Sequence, residues 1–141
     1  MMRRRPLGNG RRLAFIAALV LVAGGLLPWY TAGGSDGSLT PIVYRSFDGT
    51  GIVAFLAGLA TIALVALPYA AGGRPVGVDR GLVFGLLAAA AVAGVILWIP
   101  NVLAAPEGLL PDRAYGFWIS VVGAVMLARA AYEITLAPPP R

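Results

Sequence analysis

Four long apolar runs, separated by polar stretches rich in Gly, Pro and Arg, set the pattern of this chain. The third run, Gly81 to Ile99 (GLVFGLLAAAAVAGVILWI), carries no charge and no strongly polar side chain. At about 1.5 Å per residue it is long enough to cross, or very nearly cross, the roughly 30 Å hydrocarbon core of a bilayer. Leu13 to Pro28, Ile52 to Leu67 and the stretch that starts at Ala114 share its character. The pattern predicts an all-α, four-transmembrane-helix bundle in which residues 1–141 form a single integral membrane domain. Its helices are expected over 12–29, 51–69, 81–99 and 114–136, with loops 30–50 and 100–113 on one side and a hinge 70–80 on the other.

Breaker residues support these limits. Pro28-Trp29-Tyr30 and Pro68-Tyr69 close the first two runs, three prolines fall between Pro100 and Arg113, and three more end the chain. Asp112 is placed to cap the last helix. Thr31 to Gly51 is a Gly- and Ser-rich loop with an Asp48-Gly49 turn signal. Its middle, LTPIVYRSF, reads as an ordered connector, either on the membrane surface or as a short extended piece, with Tyr44 and Phe47 dipping toward headgroups. A basic start followed by an apolar run also describes a secretory signal peptide, and GRRLAF is similar to a twin-arginine signal. Pro28-Trp29-Tyr30 stands where small residues would be needed for cleavage, so the first helix is expected to stay.

Small residues recur every fourth position in the third run: Gly81, Gly85, Ala89 and Ala93. Such a stripe lets a second helix approach closely, which matters because lipid tails are as apolar as Leu and give helices no hydrophobic drive to associate. Ala54 with Gly58, Gly116 with Ser120, and Gly123 with Ala124 offer further close-packing positions, and Thr61 can bond its own helix backbone. The third run also inserts on its own. Its Leu, Ile, Val and Phe residues sum to about −3 to −6 kcal/mol on a transfer scale of roughly −0.3 to −0.6 each.

Composition narrows the chemistry. The chain is 59% apolar and 12% charged, against roughly 25% charged for a soluble domain, so no separate soluble domain is expected. All eleven basic residues are Arg, and with the abundant Ala, Gly and Pro this points to a high-GC bacterium. His and Cys are absent. Without them there is no His-ligated haem, no Cys/His zinc site, no thiol chemistry and no Ser-His-Asp arrangement. Six acids remain: Asp36, Asp48, Asp79, Glu107, Asp112 and Glu133. None is expected near mid-membrane, so no catalytic residue, metal ligand or cofactor site is assigned and no enzyme is expected.

Charge sets the orientation. Arg3, Arg4, Arg5, Arg11, Arg12, Arg74, Arg80, Arg129 and Arg141 fall on one side, and only Arg45 and Arg113 on the other. By the positive-inside rule both termini and the hinge are cytoplasmic, in a bacterial cytoplasmic membrane. The arginines border apolar segments, so anionic lipid headgroups, not nucleic acid, are their expected partners. Trp29, Tyr30, Trp98, Tyr115, Phe117 and Trp118 fall at outer helix ends and read as interface anchors, with a ligand cage as the other use of such a cluster. Arg129 lies about 22 Å into the last helix and can snorkel to the inner headgroups or pair with Glu133 one turn on. Structural anchoring is the expectation for that pair; a functional intramembrane charge is the alternative.

The chain resembles small four-helix membrane proteins of actinobacteria and related high-GC bacteria. The shared features are Leu27-Pro28-Trp29 at the end of the first helix, a Gly- and Ser-rich outer loop, and Gly116-Phe117-Trp118 with Gly123 in the last helix. The resemblance implies the fold and no particular activity. The expected function is therefore that of an accessory or structural subunit that packs against other membrane helices or itself. The alternatives are a small oligomeric transporter or channel, and a lipid-processing enzyme using Asp36, Asp48, Glu107, Asp112, Arg45 and Arg113 at the outer face. Four-helix multidrug exporters need a membrane-embedded Glu in the first helix, and Leu13 to Pro28 has none.

Overall fold

The computed structural model describes residues 8–34, 36–37, 40–72, 77, 79–103 and 114–137. Its elements are α1 (Asn9–Leu26), β1 (Tyr30–Ala32), β2 (Ile42–Tyr44), a 3-10 turn (Ser46–Asp48), α2 (Gly51–Ala70), α3 (Arg80–Leu103) and α4 (Tyr115–Leu136). All four α-helices are long and apolar enough to cross a membrane.

Each helix buries one stripe of small residues. On α1 the stripe is Ala14, Ala17, Ala18, Leu21, Gly24 and Gly25; on α2 it is Gly51, Ala54, Ala57, Gly58, Thr61 and Val65. The steps of three and four residues keep a stripe on one face of a helix with 3.6 residues per turn. The seams run α1–α2, α2–α3, α3–α4 and α4–α1, so the helices close a ring in which each packs against its chain neighbours. The close approaches fix the directions. Gly10 lies beside Ile134 and Gly24 beside Gly116, so α1 and α4 run antiparallel. Gly25 lies beside Phe55 and Gly58 beside Leu21, so α1 and α2 do too.

Several helix ends differ from the sequence expectation. α1 starts at Asn9 and not near 12, because Gly10 packs on α4, where an added Cβ would sit 3.0 Å from Ile134 Cγ1. It ends at Leu26 and not 29, since the residue before a proline is pushed out of the helical region, and Leu27 is extended at ψ 163°. α2 passes through Pro68 and stops where Gly72 takes a positive φ of 59°. α3 continues through Pro100 to Leu103, one turn beyond the expected stop at Ile99. A proline removes one helical N–H, and α3 runs on for three residues beyond Pro100.

The loop between α1 and α2 is an antiparallel hairpin with Tyr30 opposite Tyr44 and Ala32 opposite Ile42. Of the two forms expected for this connector, the extended one is present. The 3-10 turn follows, locked by the Arg45 N–H donating to Asp48 Oδ2 at 2.7 Å. Ser46 is buried, and its hydroxyl donates to the Gly25 carbonyl at 2.7 Å, tying the turn to the end of α1.

Candidate functional site

The hairpin end of the bundle holds its densest constellation. Trp29 is fully buried at 0% exposure, and its ring stands edge-on to Trp98 (5.4 Å between centroids) and to Phe117 (5.5 Å). The Trp29 Nε1–H donates to the Gly24 carbonyl at 3.0 Å, and the same oxygen accepts the Leu27 N–H at 3.2 Å. Trp98 is 4% exposed, and its buried Nε1–H has no hydrogen-bond partner among the described residues. Glycines make room for both rings. A Cβ at Gly51 would sit 2.7 Å from Trp29 Cζ3, and one at Gly49 would collide with Trp98. Trp29 and Trp98 are thus core residues that plug one end of the bundle, which corrects their expected role as interface anchors. Tyr30 is half-buried and lies at a tilt to Tyr44, whereas Tyr115 and Trp118 are exposed.

Two short motifs meet here. The Gly116 N–H donates to the Pro28 carbonyl at 2.8 Å, and the Trp29 N–H donates to the Tyr44 carbonyl at 2.8 Å. A Cβ at Gly116 would lie 2.6 Å from the Leu27 carbonyl oxygen, a backbone atom that cannot swing away. Leu27-Pro28-Trp29 and Gly116-Phe117-Trp118 are therefore the two halves of one joint between α1, the hairpin and α4.

The packing residues divide. Gly58 and Gly123 face Leu21 from opposite sides, with an added Cβ 3.0 Å from Leu21 Cβ and from Leu21 Cγ respectively. Gly81 makes an ordinary contact with Thr135, at 3.4 Å from its Oγ1. Gly85 faces open space, and Ala89 and Ala93 are exposed. The stripe Gly85-Ala89-Ala93 is thus not a seam within this chain. The packing face of α3 is Phe84, Ala88, Ala91, Val95 and Trp98, one residue and about 100° around the helix. The glycine that brings α3 close is Gly94, where a Cβ would lie 2.8 Å from the Ala54 nitrogen. Gly24, Gly25 and Ser46 also carry contacts that sequence reading did not single out, and no signal in the pattern marks them above neighbouring small residues.

Polar chemistry inside the bundle is sparse. Among the described residues the buried polar side chains are Ser46, Thr61 and Ser120. Thr61 donates to the Ala57 carbonyl of its own helix at 2.7 Å, and Ser120 Oγ, against Gly24, has no partner among the described residues. Arg129 Nε and Glu133 Oε1 pair at 3.2 Å on the outward face of α4, which also carries Val122, Val125 and Tyr132. Of the possible outer-face acids, Asp48 is engaged in its 3-10 turn. Glu107, Asp112 and Arg113, and with them the Asp112 cap, lie outside the described residues. Among the described residues no three acids gather to hold a metal ion. No family model matches this chain, and no curated protein or solved structure is similar to it at a significant level.

Proposed function

We propose that the chain is a non-catalytic polytopic protein of a bacterial cytoplasmic membrane, an accessory or structural subunit that packs against other membrane helices. Both termini and the 70–80 hinge lie in the cytoplasm, and the hairpin lies outside. The observation that carries this reading is the distribution of side chains. The ring of four apolar helices is filled with Ala and Gly, and its outward face carries Phe15, Leu19, Leu56, Leu86 and Val125. Among the described residues no ionisable group is buried in that interior, whereas ion- and proton-coupled transport relies on such groups. The arginine distribution supports the orientation, and the same arginines suit anionic headgroups.

Extraction in mild detergent tests the role. A stoichiometric larger membrane partner that co-purifies is the expected result. A homo-oligomer with a water-lined axis would replace this reading with the transporter or channel. Orientation is read separately with Thr40→Cys and Gly77→Cys, both at exposed positions in a chain without native Cys. An impermeant maleimide added to intact cells should label only the first; equal labelling would overturn the topology.

A further inference from the structure

The buried stripes converge at the end of the bundle where α1 and α3 begin and α2 and α4 finish. Gly10 lies beside Ile134 there, and Gly81 beside Thr135. Followed outward by one turn, the stripes bring polar groups to this mouth. On α1 the residue three before Ala14 is Arg11, on α3 the residue four before Phe84 is Arg80, and on α2 the residue four after Val65 is Tyr69. Steps of three and four keep a residue on one helix face. So α1 and α3, which stand diagonally across the ring, each set an arginine on the face turned toward its axis. Arg11 is half-buried and Arg80 exposed. Arg80 and Tyr69 are the ionisable groups that act electrostatically on Arg11, which places the two guanidiniums within range of each other.

A half-buried guanidinium beside a second one is costly, because like charges repel and burial weakens hydration. The acids at this end do not offset the pair. Asp79 Oδ1 accepts the Leu82 N–H at 3.2 Å, and Glu133 Oε1 holds Arg129 at 3.2 Å. Among the described residues Arg11 and Arg80 have no ion-pair partner. Helix dipoles do not decide the sign either, since two N-termini and two C-termini meet here and offset one another. One turn deeper the stripes carry Ala14, Val65 and Phe84, all buried, so the mouth is a shallow basic cup on an apolar floor. A planar guanidinium matches phosphate oxygens in pairs, and the Tyr69 O–H offers a further donor. Arg12 is the contrast on the same helix. It is exposed, about 100° around from Arg11, in line with the outward-facing Ile16 and Leu19.

We propose that Arg11 and Arg80 together bind one phosphate group at this mouth, carried by an anionic phospholipid headgroup or by a soluble phosphate compound. The site deepens the membrane reading above and rests on it for the side of the membrane it faces. The test uses the full chain purified in maltoside micelles. Dioleoylphosphatidylglycerol is the lipid probe, counted by native mass spectrometry, and inorganic pyrophosphate is the soluble probe, followed by the shift in thermal midpoint. Wild type and Arg12→Gln should bind one equivalent of a probe. Binding of the lipid alone assigns the phosphate to a headgroup; binding of pyrophosphate assigns it to a soluble ligand. Arg11→Gln and Arg80→Gln should each weaken that binding about tenfold, the low end for one lost charge-assisted hydrogen bond. Without probe, neither variant should lower the thermal midpoint, because each removes a repulsion. A lower midpoint would mean that the chain itself already neutralises the arginine, and would overturn the site. Equal weakening by Arg12→Gln would overturn it as well, since the attraction would then be spread over the whole basic end. So would a wild type that binds neither probe. Failure of the membrane reading looks different: wild type would stay monomeric and dispersed once detergent is removed, whatever it binds.

Discussion

At the scale of single residues, the paired tryptophans allow a controlled comparison. Trp29 and Trp98 touch edge to face, both buried, yet one indole N–H is bonded to Gly24 and the other has no partner among the described residues. Replacing either with Phe removes a similar part of the ring, so the cavity terms are alike. The hydrogen-bond terms have opposite signs. Trp29→Phe loses a buried bond worth about 1 kcal/mol, while Trp98→Phe relieves an unpaired buried donor whose penalty is about 1–3 kcal/mol. Unfolding in detergent should therefore show Trp98→Phe less destabilised than Trp29→Phe by at least about 1 kcal/mol. Equal losses would mean that Trp98 finds a partner in the membrane. The sequence reading put both tryptophans at outer helix ends facing the interface, whereas Trp29 lies three residues past α1, Trp98 lies five residues before the end of α3, and both face inward. An aromatic belt and an aromatic plug use the same residues at the same depth, and only the glycines opposite, Gly49 and Gly51, separate the two.

At the scale of elements, the apolar runs made four helices legible, because a run of that length without charge has few other fates. The seams were less legible. Small residues recur at a four-residue step on more than one face of α3, so spacing alone does not tell Gly85-Ala89-Ala93 from the face that holds Ala88, Ala91 and Gly94. The deciding information lies in the neighbours: Phe84 and Trp98 turn inward, and that rotates the glycine stripe out. The difference is measurable. A Leu at Gly58 or Gly123 would drive into Leu21 and the α1 backbone, since even a Cβ there comes within 3.1–3.2 Å of Ala18 O or Leu21 N. Overpacking of this kind costs about 1–3 kcal/mol or more. Gly85→Leu should instead leave the thermal midpoint of the monomer unchanged in detergent. If Gly85→Leu destabilised the monomer as much as Gly58→Leu, the rotation of α3 would be wrong. The hairpin was legible only as one of two options, because its strands of three residues leave almost no periodic signal.

At the scale of the whole molecule, the arrangement reverses what water would select. Most buried positions are Ala or Gly, set around a few large side chains such as Leu21, Phe84 and Leu127, and most of the bulky aliphatic side chains face out. In water the outward set would form apolar patches far beyond those a monomer tolerates. In hydrocarbon it costs nothing, because the surrounding tails match it. The same reasoning ranks two leucines of identical chemistry. Leu21 is 1% exposed, between Gly58 and Gly123, and Leu86 is 63% exposed. If separated helices remain in lipid, truncating either gains or loses little transfer energy, and what is left is the packing term. For Leu21→Ala that term is an unfilled cavity at about 24 cal/mol per Å³ of void, or on the order of 1–3 kcal/mol. For Leu86→Ala lipid closes over the gap, and the expected change is under about 0.5 kcal/mol. Reversible unfolding in bicelles reads both. A loss at Leu86 matching that at Leu21 would show that the outward face of α3 is covered by protein.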